Sequence, residues 1–249
     1  MPRFFIQSAD VSAEGRVLIG GEDALHITKA LRMKPGERVT LCDETGVEYE
    51  TVLLLAGERV ECEVLSSKPS ENEPPYEAVV YQALVKGDRF DTVLMKATEL
   101  GASKIVPVAS ARCTVRLEPK EYAKKRERWQ RIAAEAAKQC GRGRIPEVTD
   151  PVPVRQALEE AARADLPLFC YEGEGTRPLP SHFEACADPR TVSVVIGPEG
   201  GFEEAEAEAA GSLGMKMTGL GKRILRTETA APAVLAMLSC RYELGRPQD

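Results

Sequence analysis

The sequence predicts two domains: a small β-barrel, then a larger α/β domain built on a parallel sheet. Three observations carry this. Short apolar–polar alternations with turn signals fill the first 65 residues. A Pro/Ser-rich stretch without one apolar side chain, Ser66–Pro75, then interrupts the chain. Beyond it, strand-like runs alternate with helical ones. A chain of 249 residues suits one large domain or two unequal ones, at roughly 100–200 residues per domain.

In the first part Val39 and Leu41 alternate with polar neighbours, Val47–Leu55 is strand-like, and Val60, Cys62 and Val64 alternate with charged residues. Lys34-Pro35-Gly36 and Gly57-Glu58 supply turns between them. Ser66–Pro75, with three prolines and three serines, reads as a linker, which sets the domains at residues 1–70 and 71–249. In the second part Ala78–Val85 reads as a buried strand. Arg89–Leu100 follows as a helix with Phe90, Val93, Leu94, Ala97 and Leu100 on one face, closed by Gly101. Lys104–Ala109 is the next strand and Pro119–Cys140 a long basic helix, with Trp129 expected to anchor it to the sheet. A helix near Val154–Ala162, strands at Leu166–Tyr171 and Val192–Ile196, a helix over Glu203–Ser212, a strand at Met215–Leu220 and a helix over Ala230–Tyr242 complete the pattern. Such alternation means a parallel sheet covered on both faces.

Composition removes several function classes. An apolar fraction of 43% and a charged fraction of 29% are ordinary for a globular chain, so fibrous and wholly disordered readings fall away. The longest apolar stretch, Ala230–Leu238, is nine residues with a proline inside, short of the ~20 that span a bilayer. The start of the chain, Met1 to Ile6, holds no signal-peptide core, so a cytoplasmic protein is expected. Seven scattered cysteines, none in C-x-x-C spacing, read as reduced core thiols. With only His26 and His182, no metal site is expected. The net charge of −6 argues at first against nucleic acid. Arg112–Arg144, however, holds eleven Lys or Arg against four Glu, a stripe able to follow a phosphate backbone. Its most specific part is the glycine-flanked pair in Gln139-Cys140-Gly141-Arg142-Gly143-Arg144.

Two motifs carry chemistry. Ile196-Gly197-Pro198-Glu199-Gly200-Gly201-Phe202 is a glycine-rich turn at the carboxyl end of a strand, where open α/β sheets bind ligands. Neither a dinucleotide fingerprint nor a P-loop is present, and Glu199, Glu203 and Glu204 would repel a polyphosphate. A nucleoside-like ligand without phosphates fits better. The second motif, Leu220–Pro232, places Lys222, Arg223 and Arg226 ahead of a helix N-terminus, with Thr227 or Thr229 as N-cap. That positive patch can hold developing negative charge. The interleaved Ile224 and Leu225 imply a segment that does not face water throughout.

Together, Ile196–Phe202 and Leu220-Gly221-x-Arg223-Ile224-Leu225-Arg226-x-Glu228-Thr229-Ala230 resemble the RsmE family, small-subunit rRNA uridine-N3 methyltransferases of the SPOUT superfamily. Lys96–Gly101, Gln139–Arg142, Arg3-Phe4-Phe5, and His26 with Leu31-Arg32 and Gly36 match as well, so the resemblance spans essentially the whole chain. It departs at Lys138, where the family usually has Glu, and at Asp43–Gly46, where a tighter Asp-Gly turn is usual. The resemblance implies a PUA-like RNA-binding barrel followed by an α/β domain threaded into a trefoil knot. It implies a homodimer formed through that domain, S-adenosylmethionine as cofactor, and a uridine of 16S rRNA as target. Cofactor contacts are implied at Tyr171, Glu172, Ile196, Gly197, Pro198, Glu199, Gly200, Gly201, Leu220, Gly221, Ile224, Leu225, Arg226 and Ala230. RNA contacts are implied at Arg3, His26, Arg32, Lys86, Arg112, Arg142, Arg144 and Arg223. Uracil N3 carries a proton that must leave before methylation. Arg226 is the expected stabiliser of the resulting anion, and Glu199 and Glu228 are both candidates for the base. Two other readings share these features: a 2′-hydroxyl methyltransferase and an rRNA-binding assembly factor without activity. A cysteine nucleophile is disfavoured because neither motif contains one.

Overall fold

Residues 1–245 are described in a computed structural model, where the chain divides into two units. One comprises Met1–Glu73 with Ala137–Ile145, the other Pro74–Ala136 with Pro146 onward.

The first unit is built on β1 (Arg3–Phe5), β2 (Arg16–Ile19), β3 (Arg38–Cys42), β4 (Val47–Ala56) and β5 (Val60–Pro69), hydrogen-bonded in the order β1-β3-β4-β5-β2. Only β1 and β3 run parallel. Strand alternation decides what is inside: Val39, Leu41, Leu53, Val60 and Cys62 join Phe4 and Val17 in one buried cluster. Ala24 and Ile27 complete it from α1 (Gly21–Leu25) and the π turn His26–Ala30 that continues it. The longer turn at Asp43–Gly46 is held by Asp43, whose carboxylate accepts from the Thr45 N–H and hydroxyl, the Val47 N–H and the Tyr49 hydroxyl. Burial pushes that carboxyl's pKa up, but these hydrogen bonds outweigh it and hold the group below the ordinary carboxylate range. Lys138, the other departure from the family pattern, pairs with Asp23 at 2.7 Å.

Ser66–Pro69 is strand, not linker. It continues β5 and pairs with Val47–Glu50 of β4. Its side chains are exposed, so the strand forms there without the apolar alternation that would have revealed it. Glu73 then organises Ala137–Ile145. Its Oε2 takes the Arg142 guanidinium at 2.6 Å, and its Oε1 accepts the Gly143 and Arg144 N–H groups at 3.0 and 3.2 Å. Arg142 is only 4% exposed, so Glu73→Ala takes a carboxylate away from a buried guanidinium and should destabilise the protein by about 3 kcal/mol. Denaturant titration checks this; an unchanged midpoint would contradict it.

In the second unit β6 (Glu77–Ala83), β7 (Ala102–Ala109), β8 (Glu147–Val148), β9 (Val152–Pro153), β10 (Leu166–Cys170), β11 (Arg177–Pro178), β12 (Thr191–Ile196) and β13 (Lys216–Gly219) form one sheet. Its order is β11-β13-β10-β12-β6-β7-β8, with β9 beside β7 and every pairing parallel. All residues of β10 are buried, as expected of a strand covered on both faces. Helices α2 (Arg89–Glu99), α3 (Pro119–Cys140), α4 (Val154–Ala161), α5 (Leu179–Ala185), α6 (Glu204–Ser212) and α7 (Thr227–Tyr242) connect the strands. Ala157, Leu158 and Ala161 of α4 and Ala207 and Ala210 of α6 pack with Phe169, Val195 and Phe202. Trp129 is buried against Phe90 of α2, ring centres 4.6 Å apart, so it ties the basic helix to a neighbouring helix. Helix α5 was not expected: it is short, and Pro178 and Pro180 at its start mask its periodicity.

Candidate active site

Parallel strands deliver their carboxyl ends to one edge of the sheet, and there the loops after β10, β12 and β13 surround a cleft of about 690 Å³. The α7 N-terminus and Arg89, at the start of α2 after β6, complete the wall. Every residue for which a cofactor contact was expected lines this cleft except Gly200. Gly200 turns to Arg112, whose Nη1 donates to the glycine carbonyl at 3.1 Å. Arg112 thereby braces the glycine-rich turn. Gly201 sits at φ +70, and a β-carbon there would strike the Glu172 carboxylate. Glycine at that position lets the turn close against the loop after β10.

One buried hydroxyl ties three elements together. Gln82 Nε2, on β6, donates to Thr227 Oγ1 at 2.9 Å, and that hydroxyl donates to the Gly197 carbonyl at 2.7 Å. Thr227 is therefore not the N-cap. Arg226 takes the cap position with extended backbone angles, its carbonyl accepting from the Thr229 and Ala230 N–H groups.

The acids of the glycine-rich motif divide between two jobs. Glu203 and Glu206 form a capping box at the start of α6, and Glu206 also accepts the Ala111 N–H at 2.9 Å. Glu199 faces the cleft, where Arg89 Nη1 holds it at 2.7 Å and the Lys86 N–H at 3.3 Å. Glu228 lies 4.0 Å from Arg89 Nε through one oxygen, while its Oε2 is buried without a hydrogen-bond partner among the described residues. Across the cleft Lys222, Arg223 and Arg226 are exposed and make no ion pair among the described residues. Of the two interleaved apolar residues Leu225 is partly buried, whereas Ile224 is 85% exposed, an apolar side chain left standing at the rim.

The remaining RNA candidates separate by exposure. Arg3 is spent within the barrel, on Glu48 at 2.7 Å and on the Cys42 sulfur, and Arg142 is spent on Glu73. Both guanidiniums are largely buried and held by carboxylates, so their place in the structure is first a structural one, and an RNA contact there would have to compete with these ion pairs. Arg144 donates to the Thr45 carbonyl at 2.7 Å, while His26, Arg32 and Lys86 are exposed. Among the described residues no cluster of three metal-ligating side chains is found, and no helix is long and apolar enough to cross a membrane.

Cys170 also lines the cleft, but burial pushes its thiol up to about 12; Cys42 is likewise pushed up to about 11. Iodoacetamide at pH 8 should therefore modify the exposed Cys140 and Cys240 of the native protein and spare Cys42 and Cys170. Peptide mass mapping reads the result, and labelled Cys170 would contradict it. The sequence reading missed Arg89, Gln82 and Thr227 as members of the site. The signal for Arg89 was present: it follows the carboxyl end of a strand neighbouring β12, at the sheet edge where ligands bind.

Residues 72–239 match the family model described as an RNA methyltransferase domain, and residues 19–65 match the RNA methyltransferase PUA domain. The chain is 35% identical to ribosomal RNA small subunit methyltransferase E of Bacillus subtilis, covering 99% of each. It is 32% identical to the enzyme of the same name from Aquifex aeolicus, covering 81% of this chain and 87% of that one. The crystal structure of ribosomal RNA small subunit methyltransferase E from Neisseria gonorrhoeae bound to S-adenosylmethionine superposes with a TM-score of 0.84. That likeness comes at 33% identity over 96% of this chain and 97% of that one. A PUA-like unit ahead of a parallel α/β unit, in a chain matched at nearly full length, places it in the ribosomal RNA small subunit methyltransferase E family.

Proposed function

We propose that the protein transfers a methyl group from S-adenosylmethionine to N3 of a uridine in the 16S rRNA of the small ribosomal subunit. Residues 1–70 hold RNA and residues 71–249 carry the chemistry. One observation carries the reading: one cleft presents Arg226 and Glu228 together and, among the described residues, Arg226 has no carboxylate partner and one oxygen of Glu228 has no hydrogen-bond partner. Those are the two groups that methylation of a protonated nitrogen requires.

S-adenosylmethionine fits this cleft. About 690 Å³ is in the range of small-ligand sites, and the walls combine apolar Ile196, Leu220 and Leu225 with the backbone of a glycine-rich turn. Tyr171, Glu172, Ile196–Gly201 and Leu220–Arg226 would hold it, with Gly200 supporting the turn from behind. Bound there, the sulfonium supplies an electrophilic methyl group, so neither a metal nor a covalent enzyme intermediate is required. The protein must then free the lone pair on uracil N3. Glu228 accepts the N3 proton, since its carboxylate lines the cleft and, among the described residues, is approached only loosely by Arg89, at 4.0 Å. Glu199 is already held by Arg89 and Lys86 and positions the turn. Arg226 stabilises the negative charge that spreads to the uracil oxygens, helped by the positive end of α7.

The chain end is proposed to thread into a knot beside this cleft, and the α/β unit to form a homodimer in the cytoplasm. Ile224 at the rim and the half-exposed Met95 and Met237 offer apolar surface for a second copy. Incubation with S-adenosylmethionine and either small subunits or naked 16S rRNA, followed by nuclease digestion and nucleoside mass spectrometry, tests the reaction. 3-Methyluridine is the expected product. A ribose-methylated nucleoside, or no methylation of either substrate, would overturn the assignment.

A further inference from the structure

The barrel unit carries eleven Lys and Arg side chains, and most are already engaged. Arg3, Arg16, Arg38, Lys68, Lys138 and Arg142 each end on a carboxylate, and Arg144 on a carbonyl. Among the described residues four remain without such a partner. Arg59 stands apart, whereas Lys29, Arg32 and Lys34 fall within six residues of one another and are all exposed. We infer that this short turn, rather than the conspicuous Arg142-Gly143-Arg144 loop, is where the barrel grips the phosphate backbone of the rRNA. The inference rests on the proposed rRNA substrate and names the surface that meets it.

The backbone of the turn supports this independently of charge. The segment opens with the π turn His26–Ala30, where the Leu31 N–H reaches the His26 carbonyl at 2.9 Å and the Met33 N–H the Ile27 carbonyl at 3.0 Å. Arg32 follows at φ +54, the only non-glycine residue with positive φ among the described residues. A β-carbon is disfavoured in that conformation, and glycine or asparagine would occupy it more easily. π turns and left-handed non-glycine residues concentrate at functional sites, where a particular side chain is worth its strain. Leu25 and Leu31, both partly exposed, and the exposed His26 flank the cations and offer apolar and ring surface to sugars and bases. The nearest acid in sequence, Glu37, accepts the Lys34 N–H at 2.6 Å and so faces the turn's own backbone.

The salt dependence of binding reports how many phosphates the protein neutralises and so tests the location. Affinity of the full chain for naked 16S rRNA would be measured across a salt series, for wild type and for the combined variant Lys29→Gln, Arg32→Gly, Lys34→Gln. Glycine is chosen at position 32 because it relaxes the left-handed backbone while removing the charge, so folding should not suffer. The log–log slope should become shallower by about 2–3, at ~0.7–0.9 for each phosphate no longer neutralised, with S-adenosylmethionine binding unchanged. A slope equal to wild type overturns the inference. So does a full loss produced instead by Lys120→Gln, Lys124→Gln, Lys125→Gln on α3, the rival basic surface. Should wild type fail to bind naked rRNA, the same series is run with small subunits, and wild-type protein that binds neither overturns the substrate reading, and the inference with it.

Discussion

Glu228→Gln should slow single-turnover methylation by ~10²–10⁴, the usual contribution of a positioned base, while S-adenosylmethionine affinity stays within a few-fold. Glutamine matches the shape of the carboxylate, so the packing at the start of α7 survives. What it lacks is an acceptor basic enough to take the N3 proton. Glu228 suits that task because its carboxylate lines the cleft and, among the described residues, is only loosely approached by Arg89, at 4.0 Å. Glu199 is the contrast: Arg89 and the Lys86 N–H already occupy its oxygen. Glu199→Gln should therefore act mainly on the glycine-rich turn, raising KM for the cofactor more than it lowers kcat. The two carboxylates also differ in pH response. Raising the pH removes the N3 proton without enzymatic help, so the Glu228 variant should recover part of its rate in alkali. Single-turnover assays over a pH series decide this, and a Glu228→Gln rate equal to wild type at neutral pH would remove Glu228 from the mechanism.

Much of this site was legible before the fold was known, because its chemistry sits in two contiguous motifs. Glycines at 197, 200 and 201 and cations at 222, 223 and 226 announce a ligand turn and an anion-facing loop by residue type alone. The parallel sheet was legible for a similar reason. Strands such as Leu166–Cys170 are buried on both faces and so appear as unbroken apolar runs. Three things were hidden, each by a physical cause. The last four residues of β5 were hidden because an exposed strand needs no apolar alternation, so its serines and proline imitate a linker. The structural roles of Arg3 and Arg142 were hidden because their carboxylates lie far away in sequence, 45 and 69 residues off. A glycine-flanked arginine looks mobile until Glu73 is seen to hold it. The hub of Gln82, Thr227 and Gly197 was hidden for the same reason, since it joins residues 145 and 30 positions apart. Charge followed the same logic. The total of −6 misleads because most barrel cations are neutralised locally, and three of the few that are not lie together.

Arg226→Ala should leave cofactor affinity within a few-fold and reduce single-turnover methylation of rRNA by ~10²–10³, the cost of losing one preorganised donor to a developing anion. Position 226 separates these quantities unusually well. Its backbone caps α7, with its carbonyl accepting from the Thr229 and Ala230 N–H groups, and alanine keeps that arrangement. Its side chain stands exposed at the cleft without an ion pair among the described residues, so truncation strands no buried partner. Arg89 provides the internal control, being held by Glu199 at 2.7 Å and therefore unable to replace the lost charge without releasing that carboxylate. Arg226→Lys sharpens the assignment, because a lysine restores the charge without the planar fork that reaches an oxygen through two N–H groups. If charge alone matters, lysine should recover most of the rate; if directed donation matters, it should recover only a minor part. Calorimetry with S-adenosylmethionine and single-turnover kinetics on the same preparations distinguish these cases. Single-turnover rates unchanged in Arg226→Ala would mean that the uracil anion is stabilised elsewhere, and Lys222 and Arg223, the remaining cations of the same loop, would then be the side chains to truncate.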